Sequence, residues 1–193
     1  MNTETRVFDA YSDAATAVSN LRAIGIPEAN ISLIGNRSVA EDHEDEHVKT
    51  GVGGGMGLGA AVGGGAGLLA GLGLIAIPGL GPVVAAGWLA ATALGAVGGA
   101  VAGGLVGALV NAGVSEEDAH TYSETVRRGG TMVIVKYNDG EEANVIDALD
   151  GASPVDISTR RAQYEAEGWR AFDPKAEEYS PSASEMERMR RKG

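Results

Sequence analysis

Six glycines recur at every fourth position, Gly51, Gly55, Gly59, Gly63, Gly67 and Gly71, and a second ladder of small residues follows at Gly87, Ala91, Gly95, Gly99, Gly103 and Gly107. Positions four apart on a helix advance about 40° beyond a full turn, so each ladder winds slowly around its helix as a stripe along which two backbones can touch. From Gly51 to Val114 no residue is charged, although 21% of the chain is. This pattern predicts a glycine-zipper helical hairpin over 51–113, with both ladders as its helix-packing positions.

Such a hairpin does not stand alone in water. Its first arm, Gly51 to Ile77, contains 12 glycines, which oppose helix formation by on the order of 10 kcal/mol. Lipid changes this balance, because a backbone in hydrocarbon must satisfy its own hydrogen bonds. An arm of that length measures about 40 Å as a helix, against a hydrocarbon thickness of about 30 Å. The turn Pro78-Gly79-Leu80-Gly81-Pro82 has no polar side chain, and bulky residues such as Leu72, Ile75, Val84 and Trp88 gather near it. Two environments therefore stay open: membrane lipid, entered fully or only by the tip, and the core of a homo-oligomeric assembly.

The flanks read as two βαβ halves. In the first, residues 5–35, a strand ends near Tyr11 and Ser12 caps a helix with Ala14, Ala17, Val18, Leu21 and Ile24 on one face. Gly25 and Pro27 stop that helix, and Ile31 and Leu33 alternate in a second strand. An acidic linker, 36–50, leads to the hairpin. Residues 114–159 supply a helix capped by Ser115, with Ala119, Tyr122 and Val126 inward. The apolar strand Met132 to Val135 follows, then a helix opened by Asp139 and Glu142 with Ala143, Ile146 and Leu149 inward, ended by Gly151. Val155 and Ile157 alternate as a last strand. The halves align at a shift of 126 residues, Tyr11 on Tyr137 and Ile31 on Ile157. The predicted fold is α/β, a duplicated ferredoxin-like βαβ sandwich interrupted by the hairpin, with the Met132 strand central and both crossover helices on one side of the sheet. Residues 160–193 read as a mostly disordered tail.

Composition excludes several functions. A net charge of −11 opposes nucleic-acid binding, which rests on basic side chains against phosphate. There is no cysteine, hence no thiolate nucleophile or cysteine-based zinc site. His43-Glu44-Asp45-Glu46-His47 matches the spacing of a zinc helix, yet no apolar helical face surrounds it, and it reads as a solvated acidic spacer rather than a metal site. No Gly-Lys-Ser/Thr follows the glycines, so no nucleotide cofactor is expected. No nucleophile, base and oxyanion donors can be named together, so no catalytic residue is assigned. In the tail, Trp169 and Phe172 stand out in a chain that is 5% aromatic, and they read as docking anchors.

Val7-Phe8-Asp9, Gly25-Ile26-Pro27, Ile31-Ser32-Leu33-Ile34-Gly35, Val114 to Ala119, Arg128-Gly129-Gly130, Gly168-Trp169 and Phe172-Asp173-Pro174 together give the chain a pattern that resembles the YflT-type bacterial general-stress or heat-induced stress protein family, here with a glycine-zipper insert. The resemblance implies a bacterial, stress-associated, non-catalytic protein. Together with the hairpin it places the chain at the cytoplasmic face of the inner membrane, or in the cytoplasm if the hairpin packs in an assembly. The alternative function is a soluble oligomeric ligand- or partner-binding module.

Overall fold

The computed structural model describes residues 1–36, 73–77, 81–89, 104–176 and 179. In chain order these form β1 (Asn2–Phe8), α1 (Tyr11–Ala23), a 3-10 turn (Glu28–Asn30), β2 (Ile31–Asn36), β3 (Gly73–Ile77) and β4 (Gly81–Gly87). Then come α2 (Gly104–Asn111), α3 (Glu116–Arg127), β5 (Thr131–Tyr137), α4 (Glu142–Asp150) and α5 (Ile157–Ala166). The chain is α/β, with one sheet in the order β1-β5-β2-β4-β3 and every pair antiparallel.

The apolar strand β5 is interior, lying between β1 and β2, as a strand apolar on both faces should be. Ile134 pairs with Thr5 of β1 on one side and Ser32 of β2 on the other. Its alternation serves both faces. Val133 and Val135 join Ala14, Ala17, Val18 and Leu21 of α1 and Val145 and Leu149 of α4 in one core. Met132 and Ile134 join Leu105 and Leu109 of α2 and Ala119, Tyr122 and Val126 of α3 in the other. Each fully buried Leu, Ile or Phe contributes about 1.5–3 kcal/mol, so β5, covered on both faces, anchors both layers. As expected, α1 and α4 lie on one side of the sheet.

Several sequence expectations are corrected. Residues 73–77 and 81–87, expected to be the end of one helical arm, part of the turn and the start of the second arm, form a β-hairpin against β2 instead. The sequence of both stretches is rich in β-branched residues, which favour strands, and Pro82 sits near the start of its strand, where a missing N–H is tolerated. The hairpin makes β2 an interior strand, and Ile31 to Gly35 are all buried rather than half-covered. At the other end of the expected helical hairpin, Gly107 does lie in a helix, α2.

The last strand is also absent. Ser153 turns the chain with φ 59°, Val155 makes one strand-like bond, its N–H donating to the Val7 carbonyl at 2.8 Å, and Ile157 opens α5. The Asp156 carboxylate accepts from the Thr159 N–H at 2.7 Å and so caps that helix, a stronger start signal than two alternating apolar residues are for a strand. The predicted tail boundary at residue 160 therefore falls inside a helix. In α4 the buried stripe is Val145, Ala148 and Leu149, continuing to Ala152, while Ala143 is exposed; that set keeps the helical i, i+3, i+4, i+7 spacing more fully. Neither Ser12 nor Asp139 is an N-cap. Those places belong to Ala10 and Glu141, whereas Ser115 caps α3 as read, accepting from the Asp118 N–H at 3.1 Å.

Candidate functional site

Three polar constellations are built on this frame. The first lies at the root of the β-hairpin. Gly87 ends β4 with φ +95°, and a Cβ there would stand 2.1 Å from the Ile31 carbonyl oxygen. The next residues lock onto the 3-10 turn and β2. The Trp88 indole N–H donates to the Asn30 carbonyl at 3.1 Å, the Leu89 N–H donates to Ser32 Oγ at 2.9 Å, and Lys136 Nζ lies 3.5 Å from the Trp88 ring centroid, a cation–π contact. Gly87 was read as a helix-packing position. It is a close-approach glycine, but its neighbour is the backbone of β2 rather than a second helix. Of the other ladder positions, Gly107 is described; Gly51, Gly55, Gly59, Gly63, Gly67, Gly71, Ala91, Gly95, Gly99 and Gly103 lie outside the described residues, as do His43 and His47.

The second constellation joins the end of α3 to the chain after α5. Glu124 is 1% exposed and accepts from Arg127 Nε and Nη2 at 2.8 and 2.6 Å and from Arg128 Nε at 2.7 Å. Burial works against the Arg128 charge, yet its bonds to Glu124 and Glu167 outweigh that and raise its pKa. The guanidinium carbon of Arg128 lies 4.1 Å from the Tyr164 ring centroid, and those of Arg127 and Arg128 lie 5.2 and 5.3 Å from that of Tyr179. Trp169 meets Tyr164 edge to face at 5.7 Å. Gly168, at φ +91°, turns the chain, and Phe172 then enters the α2–α3 core at 5% exposure, its N–H donating to His120 Nδ1 at 3.2 Å.

Trp169 and Phe172 thus dock on their own domain. The α3 surface that these two residues meet was not singled out in the sequence. Thr121, Ser123, Glu124 and Thr125, buried on α3, carry no apolar periodicity. The available signal was Arg127 and Arg128 one helical turn after Glu124.

The third is a cleft of about 340 Å³ beside β1, lined by Arg6, Tyr122, Asp150, Pro154, Val155, Asp156 and Ile157. Its polar groups are occupied. Arg6 donates to Asp150 Oδ1 at 2.9 Å, to the Thr5 carbonyl at 3.0 Å and to Glu4. The Tyr122 hydroxyl donates to the Thr5 carbonyl at 3.1 Å, and burial, with Asp118 nearby, pushes its pKa up to about 12. Hydrogen bonds from Thr159 and Ser158 hold Asp156 down at about 2. The bond from the Val155 N–H to the Val7 carbonyl holds the segment 153–157 against the sheet edge.

Compared with known protein families, curated proteins and solved structures, the chain matches none. Among the described residues no cluster of His, Cys, Asp and Glu could hold a metal ion, and no helix is long and apolar enough to cross a membrane.

Proposed function

We propose that this is a non-catalytic, stress-associated protein whose uncharged, glycine-rich segment associates with the cytoplasmic face of the bacterial inner membrane while its α/β layers remain in water. One observation carries the membrane part. The register Gly73↔Ala85 puts Gly73, which follows the glycine-rich run 51–72 in sequence, and Gly87, which precedes 90–103, at the same pole of the sheet. Trp88 and Lys136 stand at that pole, the residue types that favour a membrane–water boundary. The stress association rests on the family resemblance. In this reading the core is ferredoxin-like with its fourth strand lost to α5, and the zipper positions left to pack arms are Gly51 to Gly71 and Ala91 to Gly103.

Carbonate extraction of cells expressing the full chain tests the reading, together with flotation of purified protein on phosphatidylethanolamine–phosphatidylglycerol vesicles. Retention in the pellet and co-flotation support it. Release into the carbonate supernatant with no co-flotation overturns it and favours the soluble oligomeric module, a reading supported by the hairpin's partial uptake into the sheet.

A further inference from the structure

Phe172 is held twice. Its ring lies in the α2–α3 core at 5% exposure, and its N–H donates to His120 Nδ1 at 3.2 Å. This bond joins the backbone beyond Gly168 to α3, whereas the N–H groups of Lys175 and Ala176 donate within the segment, to Asp173. A neutral imidazole accepts on one ring nitrogen and donates from the other, so His120 holds Phe172 in the tautomer that carries its proton on Nε2. The ring is only half-buried and can take a second proton from solvent. Nδ1 then becomes a donor, and the buried Phe172 N–H faces another N–H in place of its acceptor.

The charged groups around this junction are fixed near neutral pH. On α3, Glu116, Glu117 and Glu124 lie one turn from His120; Glu117 is tied to Arg161 of α5, and Glu124 to Arg127 and Arg128. Glu4 and Arg6 of β1 stand on the Tyr122 side of α3. The segment itself carries Arg170 and Asp173 beside Phe172, and α2 brings no charged residue. Carboxylates and guanidinium groups ordinarily keep their charges above pH 5, whereas histidine ordinarily changes its charge between pH 5 and 8.

We propose that residues 170–176 form an acid-released strap, which neutral His120 latches into the α2–α3 groove through Phe172 and protonated His120 lets go. The occupant of the groove is the chain's own segment, and its release uncovers the apolar surface of α2 and α3 that Phe172 covers. The Trp169–Tyr164 contact and the Arg128–Glu167 pair contain no group that ordinarily titrates in this range, so α5 stays seated and the stretch beyond it moves. The strap does not depend on the membrane reading.

Amide hydrogen exchange of the full chain, in the buffer or detergent that keeps it dispersed, measures the latch at its own donor. Protection of the Phe172 N–H, relative to the intrinsic exchange rate at each pH, should fall about tenfold between pH 8 and 5.5, while the amides of β5 keep theirs. His120→Asn puts an amide oxygen near the Nδ1 position and does not titrate, so it should remove the pH dependence; His120→Ala, with no acceptor, should lack the protection at both pH values. The chain has no cysteine, so a nitroxide on Ala171→Cys, exposed beside Phe172, reports release itself. Its mobile fraction should grow at pH 5.5 with His120 present and stay constant with His120→Asn. Equal protection in the parent at both pH values, the same fall in His120→Asn, or a mobile fraction that ignores pH overturns the strap, and none of these outcomes requires His120→Ala to fold.

Discussion

Gly87 and Ile31 are in closer contact than any side chain permits: a Cβ on Gly87 would lie 2.1 Å from the Ile31 carbonyl oxygen and 2.7 Å from the Ser32 Cα. The contact fixes β4 on β2.

Gly87→Ala should therefore destabilise the domain by about 3 kcal/mol or more, since backbone must move and φ is positive. Gly25→Ala is the control, with φ +91° but nothing within 4 Å of the added methyl; it should cost about 1 kcal/mol. Urea titration followed by far-UV circular dichroism separates the two. Equal costs would mean that the hairpin root is not seated on β2.

Removing the Glu124 carboxylate leaves two largely buried guanidinium groups without their common partner. Glu124→Ala should cost about 3–5 kcal/mol. Asp9→Ala breaks an ion pair whose carboxylate is 61% exposed and should cost less than about 1 kcal/mol. The difference is read from denaturant midpoints, and two similar values would argue against a buried cluster.

Phe172→Ala should cost about 3–5 kcal/mol as a core truncation. Ending the chain after Arg160 removes Tyr164, Trp169 and Phe172 and cuts α5, so it should destabilise the fold strongly, whereas ending it after Ala176 should not. With Trp88→Phe in place, Trp169 emission should be blue-shifted and resist iodide, because its ring rests on Tyr164 and its buried N–H is out of water. Water-like emission would detach this segment from the domain.

Alkaline pH should weaken the protein through Tyr122. An unfolded phenol ionises near pH 10, and the folded one near 12. The raised value means that its stabilisation is complete below pH 10 and is lost as pH climbs to 12, by about 3 kcal/mol. Tyr122→Phe should cost about 1 kcal/mol at neutral pH and flatten this part of the profile. Burial also raises Tyr11 and Tyr137, so a shallower slope should remain. Urea midpoints from pH 8 to 12 measure it, and a parent-like slope in Tyr122→Phe would assign the loss elsewhere.

The sequence alone determined what is local or strongly periodic. Met132 to Val135, apolar at every position, had to be a strand with both faces covered. Ser115 and the acidic turn after it began α3. Gly25 and Gly129 ended their helices because the next turn needs positive φ. Trp169 and Phe172 stood out by their rarity in a polar stretch. Tertiary structure decided what depends on a distant partner. Gly73 to Gly87 satisfies both small-residue helix packing and strand pairing, and β2, with one side still unpaired, selects the strand. Val155 and Ile157 alternate as a strand would, but the Asp156 cap and the single bond to Val7 leave room for a helix. Glu124 is buried because Arg127, Arg128 and the chain after α5 converge on it. A polar residue gives no periodic sign of burial when its compensation comes from charges brought together by the fold.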